Sequence, residues 1–185
     1  MASNDTSKVS VGKANKTGAA FSAIAGTDIP TDATTDLGES FTNHGYVGVD
    51  GLTNTTERET SDIKAWGGDI VLTPVNSFKE TYQLTLIQSL DADTLKAVYG
   101  SSNVTATSKK ITVTHGSVEL EHRAWVFEVL LSGGGVKRIC IPDGQITEIG
   151  DVVYKDDQEI GYAITITAFP DADGNTSYEY ISTNA

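Results

Sequence analysis

Positive charge is scarce in this sequence. Against 25 aspartates and glutamates stand only 13 lysines and arginines, leaving a formal net charge of −12 over 185 residues. A protein that grips nucleic acid needs cations to displace phosphate counterions, so this balance excludes a free nucleic-acid binder. It does not exclude a protein that works beside DNA without holding it. Cysteine is almost missing as well: Cys140 stands alone, which rules out an intrachain disulfide. No apolar run approaches the ~18 residues of a membrane-spanning helix. The first eight residues, Met1 to Lys8, lack the apolar core of a secretion signal. The expectation is a chain that stays in the cytoplasm where it is made and meets no membrane. Hydrophobic residues make up 38%. That is low for a compact globule, so part of the chain should stay exposed until it meets a partner.

Reaction chemistry is equally thin. Asp171-Ala-Asp-Gly-Asn175 brings its glycine two residues too early for a calcium loop and reads as a hairpin turn. Gly133-Gly-Gly-Val-Lys-Arg138 lacks the spacing of a phosphate loop and leads into a strand, not a helix. His115-Gly-Ser117 has no acidic partner with a recognisable motif, and His44 and His122 have no ligand-spaced neighbours for zinc. Cys140 reads as a small buried side chain. Trp125 reads as core, and so does Trp66, with a carbohydrate platform as the alternative for Trp66. Glu57, Glu59, Glu119, Glu121 and Glu128 fall on predicted strands, where a solvated face is the default. Carboxylate pairs for glycoside hydrolysis are spatial, and sequence leaves them open. The expectation is a protein with no catalytic residue, no metal and no cofactor.

What is present is β-structure. In Lys79-Glu-Thr-Tyr-Gln-Leu-Thr-Leu-Ile-Gln88 the period is two, with Tyr82, Leu84 and Leu86 on one face and Thr81, Gln83 and Thr85 on the other. Further strands are predicted over residues 110–115, 117–131, 136–142, 151–154 and 159–169, with Tyr178 and Tyr180 returning on the last. Residues 123–131 are apolar on both sides and should be covered on both faces. Residues 91–99 form the best helix, with Asp91 as its cap and Gly100 at its end. A shorter helical stretch is expected from Asp36, with Leu37 and Phe41 on one face. The fold class is mainly β: a two-sheet β-sandwich or partly closed barrel with one flanking α-helix. Residues 1–34 read as an extended N-terminal arm, and 35–185 as a single domain.

The most informative stretch runs from Gly45 to Val71: a strand, a glycine turn, a long polar segment and a second strand carrying Trp66. It is a surface suited to touching other copies. The order and spacing of several motifs then resemble the tail tube proteins (major tail proteins) of long-tailed, non-contractile bacteriophages. They are Gly18-Ala-Ala-Phe with Pro30-Thr-Asp-Ala33, Gly45-Tyr-Val with Asp50-Gly-Leu, Ile63-Lys-Ala-Trp-Gly-Gly68, and Pro142-Asp-Gly-Gln-Ile-Thr-Glu148. The resemblance covers about Val9 to Ile181. Gly48-Val49 and Gln88 depart from it, standing where relatives often carry acids. Some relatives append an immunoglobulin-like domain, which this chain is expected to lack.

The resemblance implies a virion structural protein of the siphophage tail. Six subunits would form a ring, and rings would stack head to tail into a hollow conduit for DNA ejection. Partners would be sister copies, a tape measure protein, tail-end proteins and transiting double-stranded DNA that is not specifically bound. Assembly would take place in the host cytoplasm. Joining the sheets of neighbours would remove their exposed edges, and an unclosed heterologous contact would give a filament. Expected inter-subunit contacts are Phe21, Ile24 and Ile29 from the N-terminal arm, and Leu52, Thr53, Asn54, Thr55, Thr56 and Arg58 from the polar segment. Glu57, Glu59, Glu119 and Glu121 are the expected acids of a phosphate-repelling bore. Two rivals remain: a secretion-system tube subunit of the same fold, and a β-sandwich glycan-binding module using Trp66 or Tyr178 and Tyr180.

Overall fold

The computed structural model describes residues 4–183. Their strands, in chain order, are β1 Gly12–Ala14, β2 Ala20–Ile24, β3 Thr42–Asn43, β4 Thr53–Thr60, β5 Ile63–Lys64, β6 Ile70–Leu72, β7 Val75–Leu86, β8 Val104–Thr107, β9 Lys110–Val113, β10 Arg123–Leu131, β11 Val136–Ile149, β12 Tyr162–Phe169 and β13 Tyr178–Ser182. One α-helix, α1 Ala92–Tyr99, lies between β7 and β8. The main sheet runs β3-β2-β10-β11-β12-β7-β4, with β1 added to β10 and β13 added to β11. Every pairing in it is antiparallel. The mainly-β class with one helix holds, and the sheet stays open instead of closing into a barrel.

The sheet nevertheless doubles over on itself. Three strand intervals separate β10 from β7, roughly 14 Å in a flat sheet. Yet the rings of Phe127 on β10 and Tyr82 on β7 have centroids 6.0 Å apart. The two halves therefore face each other across a shared core of Tyr82, Leu84, Leu86, Trp125, Phe127, Ile141, Ile164 and Ile166. The period of two expected for β7 is obeyed: Tyr82, Leu84 and Leu86 are buried, while Thr81, Gln83 and Thr85 face out. Residues 124–128 are all buried, as a strand covered on both faces requires. The helix is capped as expected, the Asp91 carboxylate accepting the Thr94 N–H and Gly100 closing the end.

Pro142 sits inside the longest strand, where a missing N–H would ordinarily break a ladder. β11 escapes this because its partners change there. On one side β13 pairs with residues 136–140 and β12 takes over at Asp143. On the other, the β10 register slips between Arg123 and Trp125. Gly144 follows because a Cβ there would stand 3.0 Å from both Ile166 and Trp125.

Several local expectations are corrected. No helix starts at Asp36: residues 36–41 are turn and loop. The apolar spacing offers a single turn, and Gly38 inside it costs about 1 kcal/mol of helix propensity. Residues 117–122 and 151–154 form no strand. The first segment is instead tied down by a side chain, Gln145 Nε2 donating to the Leu120 carbonyl. Asp171–Asn175 is a turn, closed by Asp171 N–H donating to the Asn175 carbonyl, but it is not a hairpin. β12 and β13 both run antiparallel to β11 along the same edge, so the chain bulges out and resumes its direction.

Candidate assembly site

Residues 56–79 are all exposed. β4 and β7 leave the body side by side, their ladder running from Thr53 opposite Gln83 to Thr60 opposite Val75. Ser61 N–H then bonds to the Pro74 carbonyl, and β5 and β6 carry the pairing onward from Ile63 opposite Leu72. The result is one continuous hairpin projecting from the body, turned at Gly67 and Gly68, whose φ of +132° and +101° favour glycine. Trp66 stands on that turn, fully exposed. Its reading as core is therefore wrong. The two glycines serve the turn, and a turn at the end of a hairpin has no second layer to bury an indole.

Trp66 has apolar company. Ile63, Ile70, Val71, Leu72, Val75 and Phe78 are all exposed along the same hairpin, and Arg58 lies 5.0 Å from the centre of the Phe78 ring. So dense a run of bare aliphatic and aromatic side chains marks an interaction surface. Sequence reasoning had placed contacts at Leu52, Thr53, Asn54, Thr55, Thr56 and Arg58. These fall at the root and lower half of the hairpin, and Leu52 packs against the core. The tip residues were missed, although the cluster of branched and aromatic residues from Ile63 to Phe78 was a visible signal. Phe21, Ile24 and Ile29 lie apart, near β2. Ile24 is exposed, whereas Phe21 and Ile29 are half-buried.

At the root sits Glu80, the first buried residue of β7. No cation pairs with it among the described residues. Its carboxylate accepts from Asn54 Nδ2 and Tyr82 Oη, both at 2.9 Å, from Ser177 Oγ at 3.0 Å, and from Thr176 Oγ1. Burial alone would raise its pKa, but these donors outweigh burial and hold it below the usual carboxylate range. The hydrogen bonds join the hairpin to the loop before β13.

The outward face of β4, β7, β12 and β11 is threonine-rich. One cross-strand row is Thr53, Gln83, Thr165 and Glu148; the next is Thr55, Thr81 and Thr167, ending at Gln145, which is buried beneath Glu119 and Leu120. Glu57 continues this face opposite Lys79, and Glu59 opposite Ser77, whose Oγ donates to it at 3.1 Å. Glu119 reaches the β11 border, accepting from Gln145 Nε2 at 3.3 Å. Glu57, Glu59 and Glu119 thus border one surface, joined by Glu148, which the sequence had not singled out. Glu121 is elsewhere, bound to Arg123 Nη2 and Ser101 Oγ, both at 2.9 Å. Neither Glu119 nor Glu121 is on a strand.

Glu128 corrects the solvated-face default outright. It is buried on β10 and ion-paired with Arg138 on β11 at 2.5 Å. His44, passed over for want of partners, is also fully buried, with Nε2 2.8 Å from Ser22 Oγ. Burial, reinforced by the Arg123 charge, lowers its pKa to about 4. Cys140 is buried as expected, and burial pushes its thiol up to about 12, far from a reactive thiolate. No helix among the described residues is long and apolar enough to cross a membrane.

A body with open sheet edges and a bare, apolar-tipped hairpin is the architecture of a subunit that completes itself on other molecules. The chain belongs to the phage tail tube protein family, whose model matches residues 1–185. That membership gives it a structural role in the tail of the virion, as an oligomeric component of the tube. No curated protein matches the chain.

Proposed function

We propose that six copies of this chain close into a ring, and that rings stack head to tail into the hollow tube of a non-contractile tail through which DNA is ejected. The observation that carries this reading is the projecting hairpin, bare of contacts with its own body, in a chain matched from end to end by the tail tube family. An exposed apolar hairpin is an aggregation hazard unless a partner covers it, and a contact between unlike surfaces of identical subunits propagates a filament. On this reading Leu52, Thr53, Asn54, Thr55, Thr56 and Arg58 are contacts at the hairpin root. Phe21, Ile24 and Ile29 meet the neighbour from the N-terminal side.

The outward face of β4, β7, β12 and β11 is the bore wall in this proposal. Hydroxyls and amides dominate it, and Glu57, Glu59, Glu119 and Glu148 make it acidic. Its one lysine among the rows, Lys79, lies opposite Glu57. Such a wall offers phosphate no foothold, whereas cations repeated along a tube would sum to a large retarding force. Repulsion acts over about 8–10 Å in physiological salt, enough to keep a hydrated gap. Glu121, neutralised by Arg123, is left out of the wall. The conduit holds a tape measure protein before ejection, joins tail-end proteins, and assembles in the host cytoplasm.

Negative-stain microscopy of the purified chain, alone and with tail-end extract as initiator, tests the proposal. Hollow rods or stacked six-fold discs are expected. A monodisperse monomer under both conditions would sink it.

A further inference from the structure

The body carries a cleft of about 750 Å³ on the open side of the folded-over sheet. One wall is β1, β10 and β11; the other is residues 47–54 with Leu84 of β7. Its lining is largely apolar, with Val47, Leu52, Leu84, Phe127, Val129 and Ile139 among the contributors. Its size falls within the usual range of ligand pockets, several times the volume of an indole. The chain thus has both an unhoused apolar projection, the hairpin tip at Trp66, and an unfilled apolar recess.

The two cannot meet within one molecule. Asn54, at the root of the hairpin, itself lines the cleft. Trp66 is twelve residues further along a continuous ladder, roughly 40 Å away at strand rise. We infer that the hairpin tip of one copy seats Trp66 in the cleft between β1 and residues 47–54 of a second copy. Electrostatics agree. Of the three acids lining the cleft, Asp50 has no ion-pair partner among the described residues, while Glu128 is neutralised by Arg138 and Glu179 by Lys137 at 2.8 Å. That leaves Lys13 on the rim with no ion-pair partner among the described residues. The tip carries Asp69 directly after the turn, with Asp62 and Lys64 on its approach, and Asp69 against Lys13 gives the seat a register. Projection and recess are different surfaces of the same chain, so the contact does not close on itself and passes from copy to copy.

The inference rests on the tube-subunit reading, and its test separates the two. The full chain is made with benzoylphenylalanine in place of Trp66, mixed with isotope-labelled unmodified chain under assembling conditions, and irradiated. Adducts in labelled peptides covering residues 12–19, 47–54 or 127–139, which line the cleft, are expected. Assembly with adducts confined to other peptides overturns the seat and leaves the tube standing. A chain that neither assembles nor cross-links between copies overturns both. In parallel, Trp66→Ala should raise the concentration needed for assembly about thirtyfold or more, as for a buried aromatic anchor. Asp69→Lys and Lys13→Asp should each raise it about fivefold, and the two together should restore it. Failure of the pair to restore assembly, with each single variant folded, counts against the register.

Discussion

Arg138 holds Glu128 through two of its nitrogens, Nε at 3.1 Å and Nη2 at 2.5 Å, across the β10–β11 pair. Its remaining nitrogen, Nη1, donates to the carbonyls of Asp32 and Thr35 at 3.1 and 2.7 Å. Glu128 in turn accepts from Asn15 Nδ2 at 2.8 Å. One buried ion pair therefore fastens both the β1–β2 loop and the loop that follows β2 onto the sheet. Removing one partner strands the other charge in the core, which costs about 3–5 kcal/mol. Arg138→Met should lose that much in denaturant unfolding and should speed amide exchange over residues 32–36. The double variant Glu128→Leu with Arg138→Met should recover most of the stability but not the slow exchange.

His44 should make the fold acid-sensitive well above the carboxylate range. The unfolded histidine takes up a proton near pH 6.5, whereas in the native fold burial and the Arg123 charge hold this off to about pH 4, with Asp91 and Asp93 opposing weakly. Between those limits the unfolded chain binds more protons, so stability falls as pH falls and the loss is complete near pH 4. At about 1.4 kcal/mol for each step of pH, the total is on the order of 3 kcal/mol. Urea unfolding at pH 7, 5.5 and 4 measures it. His44→Gln should remove most of that dependence, and an unchanged slope would refute the assignment.

The two tryptophans should behave oppositely. Trp125 is fully buried, stacked at 6.2 Å from Phe127 and tilted at 5.5 Å from His44. Its replacement by alanine should cost about 3–5 kcal/mol. Trp66→Ala should change the stability of the unassembled chain by less than about 0.5 kcal/mol. Its fluorescence should be solvent-quenchable before assembly and protected after it.

Charge reversal on the proposed bore wall should act on transport and not on folding. Glu57→Lys with Glu59→Lys, introduced into the virion, should slow DNA release, and more so at low salt. Glu121→Lys, remote from that face and next to Arg123, should leave the ejection rate unchanged while weakening its local contacts. Equal ejection rates in all three virions would refute the wall assignment.

Much of the body was legible in the sequence because burial there is local and periodic. Tyr82, Leu84 and Leu86 announce the buried face of β7, the unbroken apolar run of residues 124–127 announces a strand covered twice, and Asp91 with Gly100 brackets α1. The hairpin was legible as strand and glycine turn but not as a projection. Alternation reports which side chains share a face, not whether a second layer exists to cover it, so Trp66 passed for core. Glu128 passed for a solvated acid for the same reason: its partner, Arg138, stands on the next strand.

Composition and periodicity by themselves determined that this chain is acidic and mainly β, because those properties are carried by near neighbours along the backbone, and the resemblance carried by its motifs pointed to the tail tube family. Only the tertiary structure decided which acids share a face, which carboxylates are buried and where the apolar tip stands. Those depend on strand register and on the sheet folding back over itself. A one-residue slip in pairing exchanges inside for outside, and contacts between distant strands exist only once that register is set.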